Sequence, residues 1–338
     1  MPQPLPTNNY VFQPWQDAYA KCLHHEQVGN TIGDATALVR ARILGYAMLE
    51  TPSDTGRDFL AREINSCDDD DEFERLATLY ITHFLRCFRA ATGRTRSPST
   101  HPSRPSFDAT QETLQYLLEE APQNHATAKQ KALIRDGYRC MLTGAFDIVS
   151  VKEKPHILPA DAPVTFTQAA HIFPESTNVG MSGVNQDGAK HEYAATVWTV
   201  MARFGDTFVF DELNGPNVHR LENVMTLRGD EHTHFEMLNL WLESTNTPHT
   251  YTPQTTHPMY RWNIPTTVTF TTPDPEKLPL PSPDYLRLHA AAARVAHLSG
   301  AGEYITEILR DMEKTRVLSN DGSSALLLTA ALEGISVH

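Results

Sequence analysis

Gln168-Ala169-Ala170-His171-Ile172-Phe173-Pro174 is a short apolar run ending on a histidine, and its reading decides the fold. Thr165 to Ile172 has the composition of a strand, and Pro174 closes it. Two further islands flank this run. Upstream lies Arg135-Asp136-Gly137-Tyr138-Arg139-Cys140-Met141-Leu142-Thr143-Gly144. Downstream, Glu222-Asn223-Val224-Met225-Thr226-Leu227 is followed by His232-Thr233-His234-Phe235-Glu236. In chain order the islands place a His at a strand end, an Asn in a turn and a His opening a helix.

That order suits phosphodiester hydrolysis. The reaction needs a base for the attacking water, charge neutralisation at the phosphorus and stabilisation of the leaving oxygen. A histidine beside one divalent ion supplies all three, because imidazole titrates near neutrality. His232 and Glu236 stand at i and i+4, so one helix face offers both to a single ion. Each residue also has a blander reading. A histidine near a strand end is more often structural, Asn223 also reads as a turn cap, and His219 and Glu222 are alternative ligands.

Bulk properties narrow the classes. The 338-residue chain carries 41 acidic against 28 basic side chains, net −13, so it does not coat nucleic acid over its whole surface. Contact with phosphates must come from a local basic surface, a cation or both. Lys129, Lys131, Arg135 and Arg139 offer that surface, on a predicted helix from about Ala126 to Asp136 and just after it. Cys22, Cys67, Cys87 and Cys140 make no C-x-x-C pair, which points to reduced thiols rather than a structural zinc site. The start of the chain shows no secretory signal and no run is apolar enough to span a bilayer, so an intracellular protein, cytoplasmic or nuclear, is expected with no membrane partner.

Helices are predicted over Trp15–His25, over Ala35–Glu50 behind an Asp34 cap, over Ser53–Cys67, and along Phe73, Leu76, Tyr80, Phe84 and Phe88. The acidic run Asp68 to Glu72 reads as a helix N-terminal turn in preference to a cation site. A Ser/Pro/Thr/Arg-rich linker covers 93–107, followed by a helix over Ala109–Glu120. Phe146 to Val151 reads as part of a hairpin-like entry, Tyr193–Phe204 as an inserted helix and Phe208–Phe210 as a strand. Strands are expected over Asn239–Glu243, Tyr260–Asn263 and Val268–Thr271, and closing helices over Tyr285–His297 and Tyr304–Lys314.

These motifs together resemble the HNH nucleases, in particular the branch common in fungal proteins. The likeness rests on Arg-Asp-x-x-Arg-Cys-x-x-Thr-Gly at 135–144, Ala-His-Ile-x-Pro at 170–174, Asn223 to Leu227 and His232 to Phe235. Trp198, Phe204 and Leu240-Trp241-Leu242-Glu243 fit it, as do flanks at Arg40–Tyr46, Ser99–Phe107 and Asp321–Ser324. The resemblance implies His171 as general base, Asn223 as a positioning or ligand residue, and His232 as a metal ligand. One departure matters. Ala170 stands where many such enzymes carry a metal ligand, so a further donor must come from Glu236, Asp230, Glu222 or Glu175.

The expected fold is α+β, a mainly helical body around a ββα-metal (HNH) module with a helical insertion. Residues 1–122 form the helical region, 123–244 the module with its insertion at 173–221, and 245–338 strands and closing helices packed on it. The expected function is a metal-dependent endonuclease acting on DNA, with RNA as the alternative, its ion Mg, Mn, Ni or Zn. Its rivals are a biosynthetic enzyme on a small molecule, with an apolar pocket at Trp198, Phe204 or Trp241, and a non-catalytic binding protein.

Overall fold

The first two helices are set by their ends. α1 (Gln13–Ile32) carries a proline in its first turn and stops at Gly33, whose φ of 72° only glycine adopts at little cost. Asp34 then caps α2 (Ala35–Glu50), accepting from the N–H groups of Thr36 and Ala37 at 2.8 and 3.1 Å. α2 is buried on more than one face, as its apolar spread predicts: Ala41, Ile43, Leu44, Ala47 and Met48 are all inaccessible. Gly45 lets Leu5 of the N-terminal segment lie against it; a Cβ there would sit 2.5 Å from the leucine side chain.

Those helices belong to a computed structural model that describes residues 2–85, 88, 125–174, 199–205, 209–213 and 215–314. Ser53 caps α3 (Asp54–Asn65), and the acidic run starts α4 (Asp70–Leu79). Asp69 accepts from the Glu72 N–H while Glu72 accepts from the Asp68 N–H, a reciprocal capping box. The run is therefore a helix start, as expected. The helix passes into a π turn at Tyr80–Phe84, and Phe84 and Phe88 reach the core.

Next come α5 (His125–Arg135), β1 (Phe146–Asp147), α6 (Ile148–Glu153), β2 (Val164–Thr165) and β3 (Thr167–His171). A helical turn at 199–205 precedes α7 (Val209–Leu213), β4 (Val224–Arg228) and α8 (Gly229–Glu236). The chain closes through β5 (Leu240–Ser244), β6 (Thr250–Thr255), β7 (Val268–Thr269), α9 (Pro283–Ser299) and α10 (Ala301–Lys314). β1 pairs parallel with β2, β3 antiparallel with β4, and β5-β6-β7 form an antiparallel sheet. The fold is α+β. One apolar cluster joins Tyr19 of α1, Ile43 of α2, Met225 of β4, Leu240 of β5 and Val295 of α9.

The insertion is tied down by polar contacts as well as apolar ones. Thr51 donates to the Phe204 carbonyl at 2.6 Å, and the buried Glu63 accepts from Arg203 at 2.6 Å and from Tyr80 at 2.8 Å. Three local expectations change. Residues 148–151 lie in α6, because Asp147 caps it by accepting from Ser150 N–H. The Phe208–Phe210 stretch gives helix α7 over its described residues, not a strand. Tyr260 lies in a 3-10 turn, Pro258–Arg261, started by proline and by His257 accepting from the Met259 N–H. The helix expected over Ala109–Glu120, the 93–107 linker and the first half of the Tyr193–Phe204 helix lie outside the described residues.

Candidate functional site

β3 and β4 run antiparallel with His171 opposite Val224 and Thr167 opposite Arg228, and α8 follows β4 directly. This is a strand, strand, helix unit. Side chains alternate along β3, so Ala169 and His171 share one face while Gln168 and Ala170 share the other. The packing agrees. Ala169 meets Ala128 and Ala132 of α5, whereas Ala170 is inaccessible within the main core. An alanine at 170 is what that core position requires, and it adds no ligand.

His171 is 9% exposed, and its Nε2 lies 3.2 Å from Nδ1 of His219. The ring of His125, on α5, stands 5.5 Å away. Burial first, then the charges that His219, His125 and His232 would carry, push the His171 pKa down to about 3. The imidazole is neutral throughout the physiological range.

Asn223 is fully buried, and every polar atom of its amide is used. Oδ1 accepts from the Phe173 N–H at 2.9 Å, while Nδ2 donates to the carbonyls of Phe173 and Val218 at 3.0 and 2.8 Å. It pins the chain leaving His171 to the turn entering β4. Fully buried and so bonded, the amide positions backbone in this structure.

His232 reaches β3 through Gln168 and lies near enough to His171 to act on it. Its Nδ1 contacts Gln168 Oε1, and its Nε2 is 3.0 Å from Glu236 Oε1. The i, i+4 pair therefore converges. The other expected donors do not join it. Asp230 is exposed and 3.7 Å from Arg228, and Glu222 is paired with Arg220 at 2.7 Å, which helps hold its pKa low against burial. Glu175 lies outside the described residues. Among the described residues, no group of three or more His, Cys, Asp or Glu side chains is arranged to hold a metal ion.

The basic surface is smaller than expected. Lys131 and Arg139 are exposed and Lys129 is half-buried, one helical turn beyond His125. Arg135 is 2% exposed and cannot meet a phosphate. Its guanidinium grips Asp136 through two bonds, at 2.6 and 3.0 Å, and donates to the carbonyls of Leu221, Val224 and Pro279. Asp136 in turn accepts from the Thr226 N–H. The pair clamps α5 to β4 and to the C-terminal segment.

Cys140 has no metal role in this arrangement; its thiol accepts from the N–H groups of Thr143 and Arg228 and holds the 140–144 turn on β4. Of the residues considered for an apolar pocket, Phe204 and Trp241 are buried in the main core. Phe204 lies 4.3 Å from Phe84, and Trp241 donates to Glu243. Trp198 lies outside the described residues. Sequence reading missed His125 and Gln168. His125 sits in another element with no motif around it, while Gln168 was quoted only as part of a strand.

Residues 140–241 match the model of a family described as HNH endonuclease. The match takes in His171, Asn223 and His232 and leaves the helical flanks, including Arg40–Tyr46, outside it. No curated protein and no solved structure matches the chain.

Proposed function

We propose that the HNH endonuclease segment at 140–241 makes this chain a phosphodiester-cleaving nuclease on DNA, or on RNA, with His171 as its general base. The observation that carries the proposal is the neutral imidazole of His171, held by His219 at the end of β3 beside a unit that continues into α8. A neutral ring can take a proton from water. A pKa near 3 makes a weak base, but an anionic phosphodiester bound beside it raises that pKa through opposite charge. Lys129, Lys131 and Arg139 are assigned to the phosphates on either side. Asn223 fixes the turn that carries His171 and touches no substrate.

HNH endonucleases typically use a divalent cation. His232 and Glu236 supply one imidazole and one carboxylate from adjacent turns, a mixed pair that suits a first-row cation or an Mg²⁺ completed by water and substrate oxygens. Two protein donors fit such an open site and not a closed structural one. When bound there, the cation would withdraw charge from the phosphate and the leaving oxygen. Gln168 orients the His232 ring through its other nitrogen.

The test is cleavage of supercoiled plasmid and labelled oligonucleotides in Mg²⁺, Mn²⁺, Ni²⁺ or Zn²⁺ against a chelated control. His171→Ala is expected to lose about a hundredfold or more of the rate, the range a positioned acid or base contributes. Cleavage that survives His171→Ala undiminished would exclude the assigned base.

A further inference from the structure

The stretch 244–273 contains no Asp or Glu, although the chain as a whole carries 41 of them against 28 Lys and Arg. Within it, the turn Pro258–Arg261 and the residue that follows expose Met259 and Trp262 at 75% and 74%. Burying either elsewhere on the chain would stabilise the fold, so their exposure calls for a reason.

The turn is rigid, not frayed. Tyr260 stacks on His234 of α8 with ring centroids 4.0 Å apart and planes at 29°. His257 accepts from the Met259 N–H at 3.2 Å, Arg261 donates to the Thr266 carbonyl at 3.3 Å, and Ile264 is buried just beyond. An indole is therefore presented to solvent from an anchored turn seated on α8. His232 and His234, two residues apart, point to opposite sides of that helix, so the loop flanks the proposed cleavage site instead of lining it.

The same acid-free segment continues into one wall of an open cleft of about 270 Å³, formed by Pro265 and Thr267–Thr271 facing Arg139 and the 140–144 turn. Asp136 also borders this cleft, but Arg135 already neutralises it. Arg261 lies in this acid-free stretch next to Trp262, on a chain of net charge −13. An exposed ring on an anchored turn beside an arginine, in a stretch with no carboxylate of its own, matches an unpaired nucleotide, whose base stacks while its phosphate meets arginine.

We propose that Trp262, with Met259 and Arg261, forms an exosite that binds unpaired nucleotides of a nucleic-acid substrate outside the cleavage site. The proposal deepens the nuclease reading and rests on it for the choice of nucleic acid over protein. It gives the enzyme a preference for single-stranded or unpaired regions over blunt duplex.

The test uses the full chain in chelator, with oligothymidine about 20 nucleotides long and a blunt duplex of the same length as probes. Oligothymidine is expected to quench tryptophan fluorescence and to bind more tightly than duplex. Trp262→Ala should weaken oligothymidine binding about tenfold, the effect of losing one base–aromatic stack, while Trp262→Phe stays within about threefold. Equal binding by wild type and Trp262→Ala overturns the exosite, as does a preference for duplex. Loss of a dimer in Trp262→Ala with nucleic-acid binding intact overturns it in favour of a protein contact. His171-dependent plasmid cleavage with Trp262-independent binding sinks the exosite alone. Trp262-dependent binding without cleavage by wild type keeps the exosite and sinks the nuclease reading, and absence of both sinks both.

Discussion

His171 is fixed by the strand that ends on it and by the His219 ring whose Nδ1 lies 3.2 Å from its Nε2. A histidine at the end of an apolar strand was legible because alternation and the following Pro174 fix the strand and its end. Its partner was not legible. His219 lies 48 residues later in a 3-10 turn, and nothing in the local sequence announces that its Nδ1 meets His171 Nε2. The consequence is chemical. A ring nitrogen engaged by another imidazole has its tautomer fixed, and which nitrogen faces water decides whether the ring can act as a base. His219→Ala should therefore lower kcat by about tenfold or more, on the scale set by orienting partners of other histidine bases. It should also move the acid limb of the pH–rate profile upward. Removing His219 opens the buried ring and deletes a like-charge neighbour, and both changes raise the His171 pKa from about 3 toward its ordinary range. A pH–rate profile and kcat indistinguishable from wild type would leave His219 a packing residue only.

Among elements, those whose ends carry their own chemistry were readable, and those set by distant contacts were not. α2 was predicted to the residue because Asp34 caps it and its apolar positions cover several faces. β6 was missed because Pro253, which argues against a strand interior, sits in the middle of it opposite Leu242. α5 was found, yet one of its residues was assigned outward when it points inward. Ala128, Ala132 and Arg135 share a face at helical spacing, and that face packs on the β3–β4 hairpin. The sequence did offer a signal, since a neighbouring Asp136 is the partner a buried Arg needs. Arg135→Leu strands the Asp136 carboxylate, 8% exposed, and unbonds three carbonyls at once. The expected cost is about 3–5 kcal/mol in urea unfolding, the range for breaking a buried ion pair. Arg135→Lys should recover little of it, because an ammonium cannot reproduce the bidentate grip on Asp136. A loss below about 1 kcal/mol would show that the clamp is dispensable and that α5 is held by its alanines alone.

For the molecule as a whole, the helical flanks and the 140–241 segment share one core, and a buried histidine at their junction ties stability to pH. His289 of α9 is inaccessible, stacks on Phe235 of α8 at 3.7 Å with rings 3° from parallel, and meets the edge of Phe88 at 5.5 Å. Its Nε2 donates to the Phe235 carbonyl at 3.1 Å, and its Nδ1 has no hydrogen-bond partner among the described residues. Burial drives its pKa down to about 3, because a cation there would lose its hydration. The unfolded chain protonates near pH 6.5. The unfolded state thus binds the extra proton between about pH 6.5 and 3, so folding free energy is full above that window and falls as pH drops through it. His25, His171 and His297, all shifted down by burial, act with the same sign. Glu63, whose pKa is raised by burial, acts with the opposite sign, in a window that opens at the ordinary carboxylate pKa and extends above it. Between pH 7 and 5 His289 alone accounts for about 2 kcal/mol by linkage. His289→Leu removes the titration along with a stacked ring. Its stability deficit, largest at pH 7, should shrink by about that amount on acidification to pH 5 in parallel urea titrations. If the wild-type and variant curves run parallel across the window, the proton reaches His289 in the folded state, and the acid limb of stability belongs to other groups.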